Sequence, residues 1–392
     1  NISGSKSESN RLLALRGFAS YFDIINISDS DDTKVMMSAI NSNQEKIDIG
    51  HAGTAMRFLT SYFSSIKNSS VILTGSKRMR ERPISILVDA LRELEVEILY
   101  IENEGYPPIR INGKEINKKH VNLPANVSSQ YISSLMMLGV SLKNGLVINL
   151  STEITSLPYI EMTKKIIERI GGNVRLQSNQ ITIDSLSNKK IPNQLVESDW
   201  SSASYFYSIA ALSDFSDLTL NTYYKNSIQG DSDLVEIYKN FGIKTTYISN
   251  GINLSKTDVK LEKKISLDLS NNPDLAQTII VTCLGLGIDC DLYGLQTLKI
   301  KETDRLKALK SEIQKFGVDK IEITDNSIHL ENKSKLKSNI SIDTYDDHRM
   351  AMSFVPLSIL KPIIINDPMV VSKSYVSFWD HLEKLGFKIL KK

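Results

Sequence analysis

Leu298-Lys299-Ile300-Lys301-Glu302-Thr303-Asp304-Arg305-Leu306 crowds three cations around two carboxylates. On a continuous helix Lys301 and Arg305 share a face and Glu302 is turned about 100° away, an arrangement that holds an anion and a carboxylate side by side. Alone, such a stretch is an ordinary salt-bridged helix start. Its weight comes from the helix pattern on its C-terminal side and from the other basic residues of the chain, several of which sit among small, hydroxyl-bearing neighbours.

From Leu306 onward the pattern is an amphipathic helix that ends near a glycine and leads into a short strand. It covers 306–323 around Gly317 and recurs over 87–99, 163–176 around Gly171 and Gly172, 234–247 around Gly242, and 378–390 around Gly386. A weaker copy covers 34–49, with 34–40 as helix and 47–49 as strand. Glycine just past a helix takes the left-handed backbone that closes it. The spacing of roughly 70 residues is too long for a solenoid and the copies too few for a propeller. Six copies predict an α/β chain of two domains with three copies each. The polar stretch 184–194, DSLSNKKIPNQ, is the candidate boundary or else a surface hairpin.

A chain of 392 residues, 41% hydrophobic and 23% charged, has room for two cores. Its net charge of +2 excludes a general polyanion binder, so an anion site has to be local, and nucleic acid is not an expected partner. Cys283 and Cys290 lie in the apolar run 279–292 without metal-site spacing, which predicts buried reduced thiols and no metal. No apolar run reaches the roughly 18 residues that span a bilayer, and no signal peptide opens the sequence, so the expectation is a soluble cytoplasmic protein. A first residue other than methionine points to processing, trimming or further residues upstream.

Four segments place glycine, hydroxyl or amide groups at an expected helix start: 3–11 with Lys6, Ser7 and Arg11; 50–57 with Gly53; 127–131 with Val127, Ser128, Ser129 and Gln130; and the helix after Asp199. Free N–H groups at a helix start face an incoming anion, and the dipole adds roughly 0.3 to 1 kcal/mol. Each segment taken singly is equally an ordinary cap. Lys6 and Arg11 are five apart, which puts Lys6 in the loop leading into its helix. Arg78 in 75–83, Arg349 in 345–352 and Lys373 in 372–374 offer bidentate forks or a mobile charge. The apolar run after Arg349 draws that helix start inward, and His348 reads as a core histidine satisfied by Asp346 or Asp347, or as a catalytic group. Asp274 precedes a long apolar helix; it is an N-cap or, among cations, a general base.

Ten motifs in order, GSKSESNR (4–11), GHAGTAMR (50–57), RMRERP (78–83), SSQY (128–131), SLPYI (156–160), ESDWSSASYF (197–206), NNPDLA (271–276), KETDR (301–305), DHRMAM (347–352) and SKSY (372–375), span nearly the whole chain. Together they resemble the 5-enolpyruvylshikimate-3-phosphate synthases of the enolpyruvyl transferase family. The resemblance implies an α/β (α+β) fold of two similar domains, each of three βαβαββ units in an inverted, barrel-like arrangement, with the active site in the interdomain cleft. It places the domains at 4–197 and at 198–392 with 1–3. It assigns phosphoenolpyruvate to Lys6, Gly53, Arg78, Gln130, Arg305, Arg349 and Lys373. Shikimate 3-phosphate falls to Lys6, Ser7, Arg11, Ser128, Ser129, Gln130, Ser156, Asp274, Thr297 and Lys301. Asp274 and Glu302 become the base and acid, with Lys6 assisting the leaving phosphate. Neither metal nor other cofactor is implied, the usual state is a monomer, and the family is the target of glyphosate.

Departures are specific. His51 and Phe58 stand where the family usually has Asn and Pro, which bears on the turn that sets Gly53 and on glyphosate sensitivity. Thr297 replaces an Asn and Leu157 a Lys on the shikimate 3-phosphate side. Only residues 1–3 precede GSKS, where the family has about a dozen that form a strand of the second domain, so the expectation is either a less stable second domain or a sequence that continues upstream. Two other readings compete. The sister enzyme that acts on UDP-N-acetylglucosamine typically uses a loop cysteine of the first domain, and no cysteine precedes Cys283. A noncatalytic anion-binding protein on the same scaffold would not need Asp274 and Glu302 beside anions.

Overall fold

The computed structural model describes residues 1–391 apart from 125–127, 153–155, 187–189 and 333–334; Val127 and part of the 184–194 stretch therefore lie outside the described residues. The chain divides into two compact units, Gly4–Val196 and Asn1–Ser3 with Glu197–Lys392. Glu197 goes with the second because its carboxylate accepts from Trp200 Nε1 at 2.8 Å, the Tyr224 N–H at 2.9 Å and the Ser227 hydroxyl at 2.5 Å. The Ser198 hydroxyl donates to the Ile2 carbonyl at 2.8 Å, and the Asp199 N–H to the Ser3 carbonyl at 3.2 Å.

Among the described residues three βαβαββ copies show all their strands and helices. One runs through strands Lys46–Asp48, Ser70–Thr74, Glu97–Tyr100 and Ile109–Asn112 with helices Gly53–Ser64 and Ser85–Glu93. The second uses strands His120–Leu123, Leu146–Leu150, Val174–Gln177 and Gln180–Ile183 with helices Ser129–Ser141 and Leu157–Arg169. The third, in the 197–392 unit, uses strands Lys264–Asp268, Asp289–Tyr293, Lys320–Ile323 and Ile328–Glu331 with helices Ala276–Leu286 and Arg305–Lys315. In each, the helix crossover joins a parallel pair and the last two strands form an antiparallel hairpin.

The helices form the interior and the sheets the outside. Trp200–Leu212 and Ser129–Ser141 are buried along nearly their whole length, which requires residues that are apolar or small all round. Strands such as Glu97–Tyr100 and Lys320–Ile323 alternate buried and exposed residues, as a sheet with one solvated face does. Small hydroxyls stitch the inner helices together: Ser134 donates to the Arg57 carbonyl at 2.8 Å, Thr282 to Ser208 at 2.8 Å, and Ser204 lies 3.0 Å from Thr278.

Several expected elements differ. Gly171, Gly242, Gly317 and Gly386 all take positive φ after helices, but the segment before Gly242 is a single α-turn, Leu234–Ile237, between 3₁₀ turns. After helix Phe378–Lys384 the described residues form no strand. Lys301 and Arg305 do not share a helical face: Gln296–Ile300 is a 3₁₀ turn, and the α-helix begins only at Arg305, capped by Asp304. Asp274 is not an N-cap; it sits in the 3₁₀ turn Pro273–Leu275 ahead of the helix. Cys283 and Cys290 are buried and unbridged. Among the described residues no helix is long and apolar enough to cross a membrane.

Candidate active site

In the 197–392 unit, four segments distant in sequence bring their charges together. Arg305 is almost fully buried and donates to three carboxylates: Nε to Asp347 at 2.7 Å, Nη1 to Asp274 at 2.9 Å and Nη2 to Glu302 at 2.8 Å. Arg349 reaches the other Asp274 oxygen at 3.1 Å and the Ser201 hydroxyl at 3.2 Å. Lys301 Nζ lies 3.5 Å from Asp274, and Lys373 Nζ 2.8 Å from Glu302. The geometry arises from local chain direction. Asp304 caps the helix that carries Arg305, Asp347 caps helix His348–Phe354 by accepting the Arg349 N–H at 2.9 Å, and Lys373 ends the turn Pro368–Lys373. Thr297 lies one 3₁₀ turn before Lys301.

Burial alone would raise the Asp274 carboxyl, but Arg349, Lys301 and Arg305 hold it well below the usual carboxylate range. Burial draws Lys301 below the usual lysine value, with Asp274 opposing. Asp231, buried and bonded to the Ser201 hydroxyl, is pushed up to about 7, first by burial and then by the Asp274 charge. Asp231 and Ser201 are not singled out by sequence; the ESDWSSASYF motif is the signal available for Ser201. His348 is buried with Nδ1 3.7 Å from Asp347.

The 4–196 unit holds its own set. Helix Lys6–Phe18 starts with Lys6 inside the helix rather than in the preceding loop, and Lys6 Nζ lies 3.4 Å from Asp32. Gly53 opens helix Gly53–Ser64 with no side-chain cap, while Ser128 caps helix Ser129–Ser141 by accepting the Gln130 N–H at 3.3 Å. Gln130 Nε2 donates to Thr54 Oγ1 at 3.3 Å, and Ser134 meets Arg57 one turn further along both helices. The two helices therefore run parallel with adjacent starts. Ser156 takes a left-handed backbone, φ 55°, at the start of helix Leu157–Arg169.

Arg82, one of several basic residues in its motif and not distinguished from them by sequence, lies against Gly53. A Cβ built at Gly53 would come 2.5 Å from Arg82 Nη1. Arg78, of the same motif, instead lies half-exposed with Nη1 3.6 Å from Glu81. The loop is fastened by Arg57, which donates to the Pro83 carbonyl at 3.1 Å, and by Tyr131, whose hydroxyl donates to the same carbonyl at 2.6 Å. His51 Nδ1 lies 3.1 Å from the Ser76 hydroxyl at the loop's other end.

Arg11 lies inside the unit. Its Nε donates to Thr163 at 2.7 Å, Nη1 to the Ser7 carbonyl at 2.9 Å and Nη2 to Ser133 at 3.2 Å. The guanidinium carbon sits 5.5 Å from the Phe58 ring and 5.8 Å from that of Tyr159. Burial lowers Arg11 to about 10, which leaves it charged near neutrality.

These arrangements fit recognition of small anions with acid–base groups beside them. Among the described residues no group of three or more His, Cys, Asp or Glu could hold a metal ion. Residues 39–382 match the profile of EPSP synthase (3-phosphoshikimate 1-carboxyvinyltransferase). A Bacteroides fragilis protein named 3-phosphoshikimate 1-carboxyvinyltransferase is 46% identical over 392 residues, covering 99% of this chain and 95% of its own. One of the same name from Vibrio vulnificus is 34% identical over 416 residues, covering 98% and 96%. Among solved structures, the EPSP synthase of Acinetobacter baumannii superimposes with a TM-score of 0.77 at 20% identity over 98% of this chain and 94% of that one. An enolpyruvyl transferase of Streptomyces tendae gives 0.73 at 12% identity with the same coverage. At those identities the structures speak for the two-domain α/β fold, and it is the profile and the near full-length relatives that place this chain in the EPSP synthase family.

Proposed function

We propose that the chain transfers the enolpyruvyl group of phosphoenolpyruvate to the 5-hydroxyl of shikimate 3-phosphate and releases phosphate, a step toward chorismate and the aromatic amino acids. The observation that carries the assignment of roles is the grip of Arg305, Arg349 and Lys301 on Asp274, with Glu302 held beside it. Both substrates are anions, and bringing them together requires cations to offset their repulsion. Arg305, Arg349, Lys373 and Arg82 are assigned to phosphoenolpyruvate with Lys6, Gly53 and Gln130; Arg82 takes the place that the motif alone gives to Arg78. Ser7, Ser128, Ser129, Ser156, Thr297 and Lys301 are assigned to shikimate 3-phosphate with Arg11, Lys6 and Gln130.

Asp274 is too well stabilised as an anion to take a proton while three cations hold it. Substrate phosphate and carboxylate compete for those cations, and each one they occupy raises the Asp274 carboxyl toward the range of a working base. Asp274 then accepts the 5-hydroxyl proton as that oxygen bonds to C2 of phosphoenolpyruvate, and Glu302 donates a proton to C3. The resulting tetrahedral ketal phosphate loses phosphate, with Lys6 assisting its departure, and the proton that leaves the new methyl group returns to the Glu302 carboxylate as the double bond is restored. Positioning two substrates supplies on the order of 7 to 11 kcal/mol of such a barrier. The proposal includes a monomer acting in the cytoplasm without metal, nucleic acid or membrane.

The test is phosphate release from phosphoenolpyruvate by the purified chain, with shikimate 3-phosphate and UDP-N-acetylglucosamine as parallel acceptors. Release with shikimate 3-phosphate alone, lost in Asp274→Ala, is expected. Release with the nucleotide sugar, or near wild-type turnover in Glu302→Gln, would refute the substrate or the acid assignment respectively. A folded chain inert with both acceptors would leave a binding protein.

A further inference from the structure

Helix Arg305–Lys315 grips the turn after strand Ile340–Ile342 at two points. At its first residue Arg305 holds Asp347. Two helical turns on, about 10 Å along the axis, the fully buried Glu312 accepts the Asp343 N–H at 3.0 Å and the Tyr345 hydroxyl at 2.7 Å. Lys315 completes the second grip, 2.6 Å from Glu312 and 2.8 Å from Asp343, with the Ser341 carbonyl at 3.1 Å.

Between the two grips, Tyr345 and Asp346 take left-handed backbone with φ of 54° and 55°. Two successive side-chain-bearing residues in that region persist only where their surroundings over-determine them. The turn has a use. Asp347 leaves it in extended backbone, caps the next helix and meets Arg305, and that helix start aims Arg349 at Asp274.

We propose that Glu312 is a positioning residue of the active site: it locks the left-handed Tyr345–Asp346 turn, and through it the Asp347–Arg305 and Arg349–Asp274 pairs. Burial and then the Glu312 carboxylate push the Tyr345 hydroxyl up to about 12, so it remains a donor across the neutral range. Lys315 and Asp343 are the other charges at the grip. The catalytic consequence rests on the enolpyruvyl-transfer reading; the geometric one does not.

The test compares the full chain with Glu312→Met, which keeps an unbranched chain but lacks the carboxylate, with Tyr345→Phe, and with Glu312→Met carrying Asp346→Gly, in which one of the two left-handed residues adopts that backbone without strain. Two readouts are taken beside the thermal midpoint: steady-state phosphate release, and the Arg305 Nε–H resonance in a ¹⁵N spectrum, identified by its loss in Arg305→Lys. Glu312→Met is expected to lower kcat at least about tenfold while folded, since small misplacements cost that much. Its Arg305 resonance moves, and Asp346→Gly recovers part of both; Tyr345→Phe shifts both readouts in the same direction by less. An unmoved resonance with kcat within about twofold of wild type, or a loss that glycine does not rescue, overturns the proposal. Should Glu312→Met fail to fold, Tyr345→Phe decides by the same two readouts. A wild-type chain without turnover sinks the enolpyruvyl reading, and the resonance still decides on Glu312.

Discussion

Gly53 and Arg82 share a space with no room for a methyl group: a Cβ at Gly53 would lie 2.5 Å from Arg82 Nη1. What it meets is the far end of a flexible side chain, so the guanidinium moves and the fold survives. Gly53→Ala is expected to shift the thermal midpoint by less than about 2 °C. It should raise the KM for phosphoenolpyruvate about tenfold, because a hydrogen bond to a charged group is worth about 1.5 to 3 kcal/mol. Steady-state kinetics with both substrates checks this; an unchanged KM would remove Arg82 from the substrate's neighbours.

Removing Asp274 leaves Arg305, Arg349 and Lys301 crowded together without the carboxylate they share. Asp274→Ala is expected to lose about 3 to 5 kcal/mol of stability and at least about 10²-fold in kcat. Inorganic phosphate, an anion able to take the vacated place, should raise the mutant's thermal midpoint more than the wild type's. Equal rises would mean that the cations disperse when Asp274 is gone.

Asp231 makes stability depend on pH in an unusual direction. Its folded value, about 7, lies above the 3.8 of an ordinary Asp, so the folded state binds more protons and stability falls as pH rises between those values. Asp274 has the opposite sign: its folded value is depressed, so its contribution is present above the ordinary value and lost as pH falls through the folded one. Asp231→Asn should therefore stabilise the chain above pH 7 by up to about 4 kcal/mol and have little effect below about pH 3. Urea unfolding across that range measures the difference, and a gain equal at every pH would count against the raised value.

Phe58 and Tyr159 flank the Arg11 guanidinium. Phe58→Leu keeps most of the apolar volume and loses the ring face, with an expected cost of about 1 to 2 kcal/mol. Phe58→Ala should cost about 3 to 5 kcal/mol, the excess reflecting the cavity. Denaturant unfolding of both variants separates the terms, and a Phe58→Leu change near zero would leave the ring as mere filling.

The interior is the most legible part of the chain, because glycine-ended helices and runs of apolar or small residues state their burial directly. Asp274, Lys301, Glu302, Arg305, Arg349 and Lys373 come from four motifs and meet in one cluster. A shared helical face for Lys301 and Arg305 does not hold, since periodicity says nothing about a helix that begins only at Arg305. Arg82 is hard to pick out because basic residues crowd the segment 77–82, and only contact with a distant glycine tells them apart. Asp231 is invisible for the same reason: its burial and its repulsion by Asp274 exist only once the chain has folded.

The allotment of residues 1–3 to the later unit bears on synthesis. These residues are made before the 4–196 unit, yet Ser198, Asp199 and Asn221, which bond them, are made after it. On the ribosome, every residue of the Gly4–Val196 unit has been made once Val196 is added. The other unit is complete in sequence only when residues on both sides of the first have been made, 1–3 before it and 197–392 after it.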